Sequence, residues 1–163
     1  MDTDFTIRQM SLADVDQLLE LFDKVAAERL WIGTEPGFDP DHYRDIFGRA
    51  IGLGNAMFVA ERSRCIIAGL TTYEHIEYGW TLGMMVDVAE RGKGVGRALL
   101  ERLFTWAAGR GIPQLSLFVF PHNERALRLY RSTGFTEVQR YANDMRRKTG
   151  DVWDTILMRK MLA

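Results

Sequence analysis

Internal disulfides are excluded at once, because the 163 residues hold a single cysteine, Cys65. One thiol fits a reducing compartment and cannot staple a fold. It opens the apolar run Cys65-Ile66-Ile67-Ala68, a strand pattern that predicts a buried and inert side chain. Histidine is also scarce, at three residues. No His/Cys cluster has metal-ligand spacing, so no metal is expected. No apolar run approaches the ~20 residues of a membrane span. The acidic N-terminus lacks the apolar segment of a signal peptide, so a cytoplasmic location is the expectation. The net charge of −1 lacks the one-sign excess of a nucleic-acid or membrane-surface protein, and neither partner is expected. The short basic run Arg146-Arg147-Lys148 reads as a solvated turn.

With only four prolines and no low-complexity tract, no linker divides the chain. One domain over 1–163 is the natural expectation. An apolar fraction of 47% supports a real core. Hydrophobic spacing predicts a short strand over 5–8, then a helix from about 12 to 29 with Ser11 as N-cap and Asp14 in its first turn. A second helix, capped by Asp41, carries Tyr43, Ile46, Phe47 and Ala50. Strands over 57–61 and 66–73 flank Ser63-Arg64 as a hairpin. The run 80–88 is apolar at both parities, which predicts a central strand covered on both faces. A helix from 97 to 108, a strand over 115–120 and a helix from Asn123 to Gly134 follow. Two late strands, near 135–140 and 153–159, complete a mixed α/β layer structure.

The most informative segment is Arg91-Gly92-Lys93-Gly94-Val95-Gly96, between a predicted strand and a predicted helix. Glycines at alternate positions let a ligand approach the main chain. N–H groups at a helix N-terminus lack intrahelical partners and suit a phosphate. Arg91, Lys93 and Arg97 add positive charge. The spacing matches neither the nucleotide-hydrolase loop GxxxxGK[ST] nor the dinucleotide fingerprint GxGxxG. The residues therefore predict a diphosphate cradle of another kind.

Residues 86–100 resemble the acetyl-CoA motif of the GNAT superfamily of N-acetyltransferases, with Arg91, Gly94 and Gly96 in its [RQ]-x-x-G-x-[GA] places. Residues 123–135 resemble a second family segment, N-x-x-A-x-x-L-Y-x-x-x-G-F. The resemblance implies a mixed, mostly antiparallel central sheet flanked by helices. It implies acetyl-CoA as co-substrate and direct transfer of its acetyl group to a primary amine. The fourth and fifth strands would part, and Met84, Met85 and Val86 would pair with the pantetheine arm. Arg91, Gly92, Lys93, Gly94, Val95 and Gly96 would hold the diphosphate. Asn123 would touch the cofactor arm, and Tyr130 would serve as general acid toward the leaving thiolate. A non-catalytic coenzyme A-binding regulatory module is the alternative, motivated by the lack of an acid in Leu117-Phe118-Val119-Phe120.

The general base stays open among Glu35, Glu74, His75, Glu77 and water, while His122 reads as a loop residue beside the cofactor site. The acceptor, a small molecule or a peptide amine, is expected near Trp31 and Glu35. A homodimer is left open.

Overall fold

The computed structural model describes residues 4–162. The strands are β1 (Thr6–Gln9), β2 (Met57–Arg62), β3 (Cys65–His75), β4 (Gly79–Val86), β5 (Gln114–Val119), β6 (Thr136–Arg146) and β7 (Val152–Met161). The helices are α1 (Val15–Ala27), α2 (Pro40–Gly52), α3 (Val95–Gly109) and α4 (Glu124–Ser132). All seven strands form one sheet, in the order β1-β2-β3-β4-β5-β7-β6. Every neighbouring pair is antiparallel except β4 and β5, which run parallel. The chain crosses between those two through α3, as a parallel pair requires.

Strand alternation sends side chains to two separate cores. Phe58 and Ala60 of β2 face Leu99, Leu100 and Leu103 of α3, together with Leu115, Leu117, Ile156 and Met158. Met57 and Val59 face the other way, onto Leu18, Leu19, Leu21 and Val25 of α1 and Phe47 of α2. Leu99, Leu100 and Leu103 are fully buried. Each such side chain contributes about 1.5–3 kcal/mol by leaving water. Gly69 lets α1 settle on β3, since a Cβ there would lie 2.5 Å from Leu18 Cδ1.

The predicted elements are present with shifted ends. Asp39, not Asp41, caps α2, accepting from the Asp41 N–H at 3.0 Å, and Pro40 fills the first helical position. Helix α3 begins two residues early, at Val95, because Gly94 adopts the left-handed conformation and turns the chain there. Both late strands are longer than their apolar runs, because β6 is an exposed edge held by main-chain pairing to β7 rather than by burial. The hairpin at Ser63-Arg64 places both residues at positive φ, the twist that a two-residue turn demands.

Two burial expectations fail. Cys65 is exposed, because it is the first residue after that turn. In the basic run, Arg146 and Lys148 are exposed as expected, but Arg147 is only 4% exposed. Its guanidinium reaches back to a loop far away in sequence, described below.

Ser11 and Asp14 start the first helical segment as expected, with the Asp14 carboxylate accepting from the Ser11 N–H at 2.8 Å. Asp14 also takes both Arg8 NH groups, at 2.7 and 2.8 Å, and the Arg8 bond holds its carboxyl down at about 2. A carboxyl lowered by folding stabilises the protein above its ordinary value of 3.8, and that contribution is lost as pH falls towards 2. Asp14→Asn should therefore lower the melting temperature at pH 7, with the gap from the wild type closing between pH 4 and pH 2. Thermal melts of both proteins across that range check it.

Candidate functional site

The parallel pair β4–β5 is short. Only Thr81 with Ser116 and Leu82 with Leu117 face each other, after which the strands part. On its other edge β4 stays paired to β3 through Met84, Met85 and Val86, opposite Leu70, Gly69 and Ala68. On the other side, β5 stays paired to β7 out to Val119. The result is a wedge-shaped opening between the C-terminal ends of two neighbouring strands. Beyond Leu82 the expected two-sided cover of β4 is lost, with Gly83 exposed and Met84 to Val86 half-buried. Met84 and Val86 pack towards the α3 core, and Met85 towards the α1 core. The unpaired edge of β4 can take an extended polar chain by main-chain hydrogen bonding.

A turn of 3-10 helix, Val88–Glu90, carries the chain from β4 to the glycine-rich turn. Gly92 and Gly94 have φ of 76° and 84°, and a Cβ at either would meet nothing within 4 Å. They serve backbone shape and open access. Gly96 differs: a Cβ there would lie 3.0 Å from Leu129 and 3.4 Å from Met84, so it permits close packing of α3 against α4 and β4. The first bond inside α3 runs from Ala98 N to Gly94 O at 3.1 Å. The N–H groups of Val95, Gly96 and Arg97 precede it and end in the positive pole of the helix. The Val95 side chain is buried, so only its main chain can face a ligand.

The charges at this turn are not equivalent. The Arg91 guanidinium makes two bonds to the Glu28 carboxylate, at 2.8 and 2.6 Å, and its Nε donates to Val86 O at 3.0 Å. The same pairing draws the Glu28 carboxyl below its ordinary range. Arg91 thus ties the turn to the end of α1 and offers a ligand its main chain rather than its side chain. Lys93 is half-exposed, 3.6 Å from Glu90, whose carboxylate is also held by Arg62. Arg97 is exposed and donates to Ser132 Oγ at 2.7 Å. The exposed positive charge at the glycine turn comes from Lys93, Arg97 and the α3 terminus. Open glycines, bare amides and two exposed cations together fit a diphosphate.

Helix α4 brings two further residues to this region. Asn123 caps it, its Oδ1 accepting from the Ala126 N–H at 3.3 Å. Tyr130 is 7% exposed, with its ring edge-on to Phe135 at 5.7 Å. Burial pushes its phenol up to about 12.

The loop after α1 spans the opening. Trp31 Nε1 donates to Glu28 at 3.3 Å, and its ring lies 6.0 Å from His122, three residues beyond β5. His122 stacks on Phe120 at 5.5 Å and meets Trp153 edge-on at 4.6 Å. Arg147 lies over the Trp153 ring at 4.7 Å and donates to Ile32 O and Gly33 O at 3.1 and 3.0 Å. Its Nε is 3.2 Å from Glu35, which also accepts from the Lys148 N–H. Glu35 is therefore bound into the fold. Glu74, His75 and Glu77 sit at the β3–β4 turn, the far end of β4 from the glycines. By strand rise that is roughly 20 Å away. Sequence reasoning missed Glu28, Phe120, Trp153 and Arg147. The aromatic residues gave a weak signal in composition, whereas nothing local pairs Glu28 with a partner 63 positions away.

The family model "Acetyltransferase (GNAT) family" matches residues 16–135. The N-alpha-acetyltransferase RimI of Mycobacterium tuberculosis is 32% identical over 163 residues, spanning 90% of this chain and 94% of that protein. A Bacillus subtilis protein, YwnH, named for phosphinothricin acetylation, is 29% identical over 81% of this chain and 84% of its own length. The chain spans about a third of the length of the mycothiol acetyltransferases that also match it. In fold, it superposes on yncA of Salmonella typhimurium, solved with its cofactor acetyl-CoA. The TM-score is 0.88 at 23% identity, covering 99% of this chain and 95% of that one.

Gly96→Val should force Met84 and Leu129 apart. We expect a loss of about 1–3 kcal/mol in a urea unfolding curve, typical of overpacking.

Proposed function

The chain belongs to the acetyltransferase (GNAT) family, and from that premise we propose how its residues move an acetyl group from acetyl-CoA to an amine. The observation that carries the reading is the parting of β4 and β5 directly beside the glycine turn. Gly92, Lys93, Gly94, Val95 and Gly96, with the main chain of Arg91, hold the diphosphate through N–H groups and the α3 terminus. Lys93 and Arg97 add charge. The free edge of β4 at Met84, Met85 and Val86 pairs with the amides of the pantetheine arm, which lies along it like an added strand. An N–H there also donates to the thioester oxygen as negative charge builds on it. A donor fixed before reaction is worth about 3–4 kcal/mol. Asn123 keeps its capping bond and turns its amide towards the arm.

Acetyl-CoA supplies the activated acyl group and a leaving thiolate with a pKa of about 8.5. Tyr130 stays protonated throughout the neutral range because burial raises its phenol. Full proton transfer from a phenol near 12 to such a thiolate is uphill. Its role is then a hydrogen bond to sulfur that strengthens as the C–S bond breaks. Attack is direct, with no enzyme nucleophile; exposed Cys65, in the β2–β3 hairpin, takes no part.

The acceptor is a small amine or the free amino terminus of a peptide, placed at the aromatic-lined end of β5. A chromatographic assay of coenzyme A release, with phosphinothricin, a peptide with a free α-amino group and a lysine peptide as acceptors, tests the reading. Turnover with at least one is expected, and none with any would overturn it.

Tyr130→Phe should lower kcat about tenfold to a hundredfold while leaving the calorimetric affinity for acetyl-CoA within twofold. Gly94→Asn and Gly94→Asp share the cost of a left-handed side-chain residue. Only the second places a carboxylate against the diphosphate. We expect acetyl-CoA titrations to show measurable binding for the Asn variant and none for the Asp variant.

A further inference from the structure

We propose that His122 is the general base that takes a proton from the incoming amine, acting through Nδ1. The assignment rests on the acetyltransferase reading above and adds a residue to it.

Three observations converge on this ring. The first is its place. Strands β4 and β5 are parallel and part towards their C-terminal ends, so the cradle after β4 and His122 after β5 lie at the same end of the wedge. The contacts Arg91 to Glu28, Glu28 to Trp31 and Trp31 to His122 run without a gap from one lip of the opening to the other. His122 is on the side of the opening closed by the loop after α1, where the acceptor is proposed to enter.

The second is its tautomer. His122 Nε2 lies 2.6 Å from Leu30 O. A carbonyl only accepts, so Nε2 carries the proton and donates it. The neutral ring is left with its lone pair on Nδ1. The residue is exposed, and no hydrogen bond of Nδ1 occurs among the described residues.

The third is the support around the ring. Phe120 stacks on it with planes 8° apart, Trp153 meets it edge-on, and Trp31 lies beyond at 6.0 Å. Aromatic faces attract a cation, so they stabilise the imidazolium that forms on proton uptake. The bond to Leu30 O strengthens at the same moment, because a charged donor replaces a neutral one. Among the charged groups near this cluster, Arg147, over Trp153 and Phe120, is paired with Glu35, which Arg29 also approaches at 3.9 Å, and Glu28, under Trp31, is paired with Arg91.

The competing carboxylates and His75 are engaged or distant. Glu35 is held at Oε1 by Arg147 and the Lys148 N–H. Its buried Oε2 makes no hydrogen bond among the described residues but lies 3.9 Å from Arg29, so the carboxylate faces two guanidiniums. Glu74, His75 and Glu77 belong to the far turn, where His75 Nδ1 already accepts from the Glu77 N–H at 3.1 Å.

The step balances simply. An ammonium acceptor gives one proton to Nδ1 and becomes a neutral amine. Its lone pair forms the C–N bond with the thioester carbon, and the C–S bond breaks with its electron pair on sulfur. The second nitrogen proton leaves to solvent, and the thiolate takes a proton from solvent while Tyr130 keeps its own and hydrogen-bonds the sulfur. The imidazolium returns its proton to solvent.

His122→Gln tests this, since a glutamine amide can still donate to Leu30 O but cannot accept a proton. With whichever panel amine turns over fastest, we expect kcat to fall about 100-fold or more. The acidic limb of the wild-type pH profile should disappear, and acetyl-CoA affinity by calorimetry should stay within twofold. Unchanged kcat with an unchanged pH profile, alongside intact binding, would overturn the base assignment and leave the acetyltransferase reading standing. Loss of acetyl-CoA binding in the variant would also overturn it, by making His122 a structural residue. Independently of any acceptor, a long-range ¹H–¹⁵N spectrum of the wild-type protein with acetyl-CoA should show the neutral His122 ring protonated at Nε2. Protonation at Nδ1 would refute the proposal. Wild-type protein that binds acetyl-CoA but acetylates no panel amine would sink the proposed function and this assignment together.

Discussion

Main-chain hydrogen bonding that stops halfway along a strand is what the rest of this molecule is arranged around. Strand β4 is satisfied by β3 along its whole length but by β5 at only two positions. Water is the default partner for the remaining N–H and C=O groups, and an extended ligand with amides of its own is the natural replacement. The opening lies inside a seven-stranded sheet and borders both cores: Met84 and Val86 pack against one and Met85 against the other.

The glycines then divide the labour more finely than their shared identity suggests. Gly92 and Gly94 are needed where the chain adopts positive φ against open space. Gly96 is needed where three elements meet. The glycine turn and the packing of α3 on β4 and α4 are therefore one construction. A substitution at Gly96 acts on that turn through Met84 and Leu129, without a charge or a hydrogen bond being altered.

Local patterns were legible in the sequence wherever a short window held the whole physical cause. The glycine turn before α3, the cap at Asn123 and the amphipathic faces of α1 and α3 are all of this sort, although the left-handed Gly94 starts α3 two residues earlier than the apolar spacing suggests. The order of elements followed from them, and the two motifs around Arg91 and Tyr130 point to the side where the cofactor is proposed to bind. What stayed hidden depends on distant partners. Its glycine neighbours mark Arg91 as a phosphate ligand, yet a carboxylate at the end of α1 holds its side chain. Arg147 read as a solvated charge, yet carbonyls of Ile32 and Gly33 draw it inside. The four-ring cluster of Trp31, Phe120, His122 and Trp153 comes from three separate stretches of chain, and no periodicity connects them.

The exposed thiol at the β2–β3 hairpin carries a practical corollary. Cys65 follows two residues held at positive φ, on a tip that neither core reaches. Maleimide dyes have one address on this chain, so a fluorophore can be installed stoichiometrically with no engineered mutation. Conversely, any colorimetric titration of sulfhydryls will register one equivalent from the catalyst itself before it registers product, and that baseline must be subtracted.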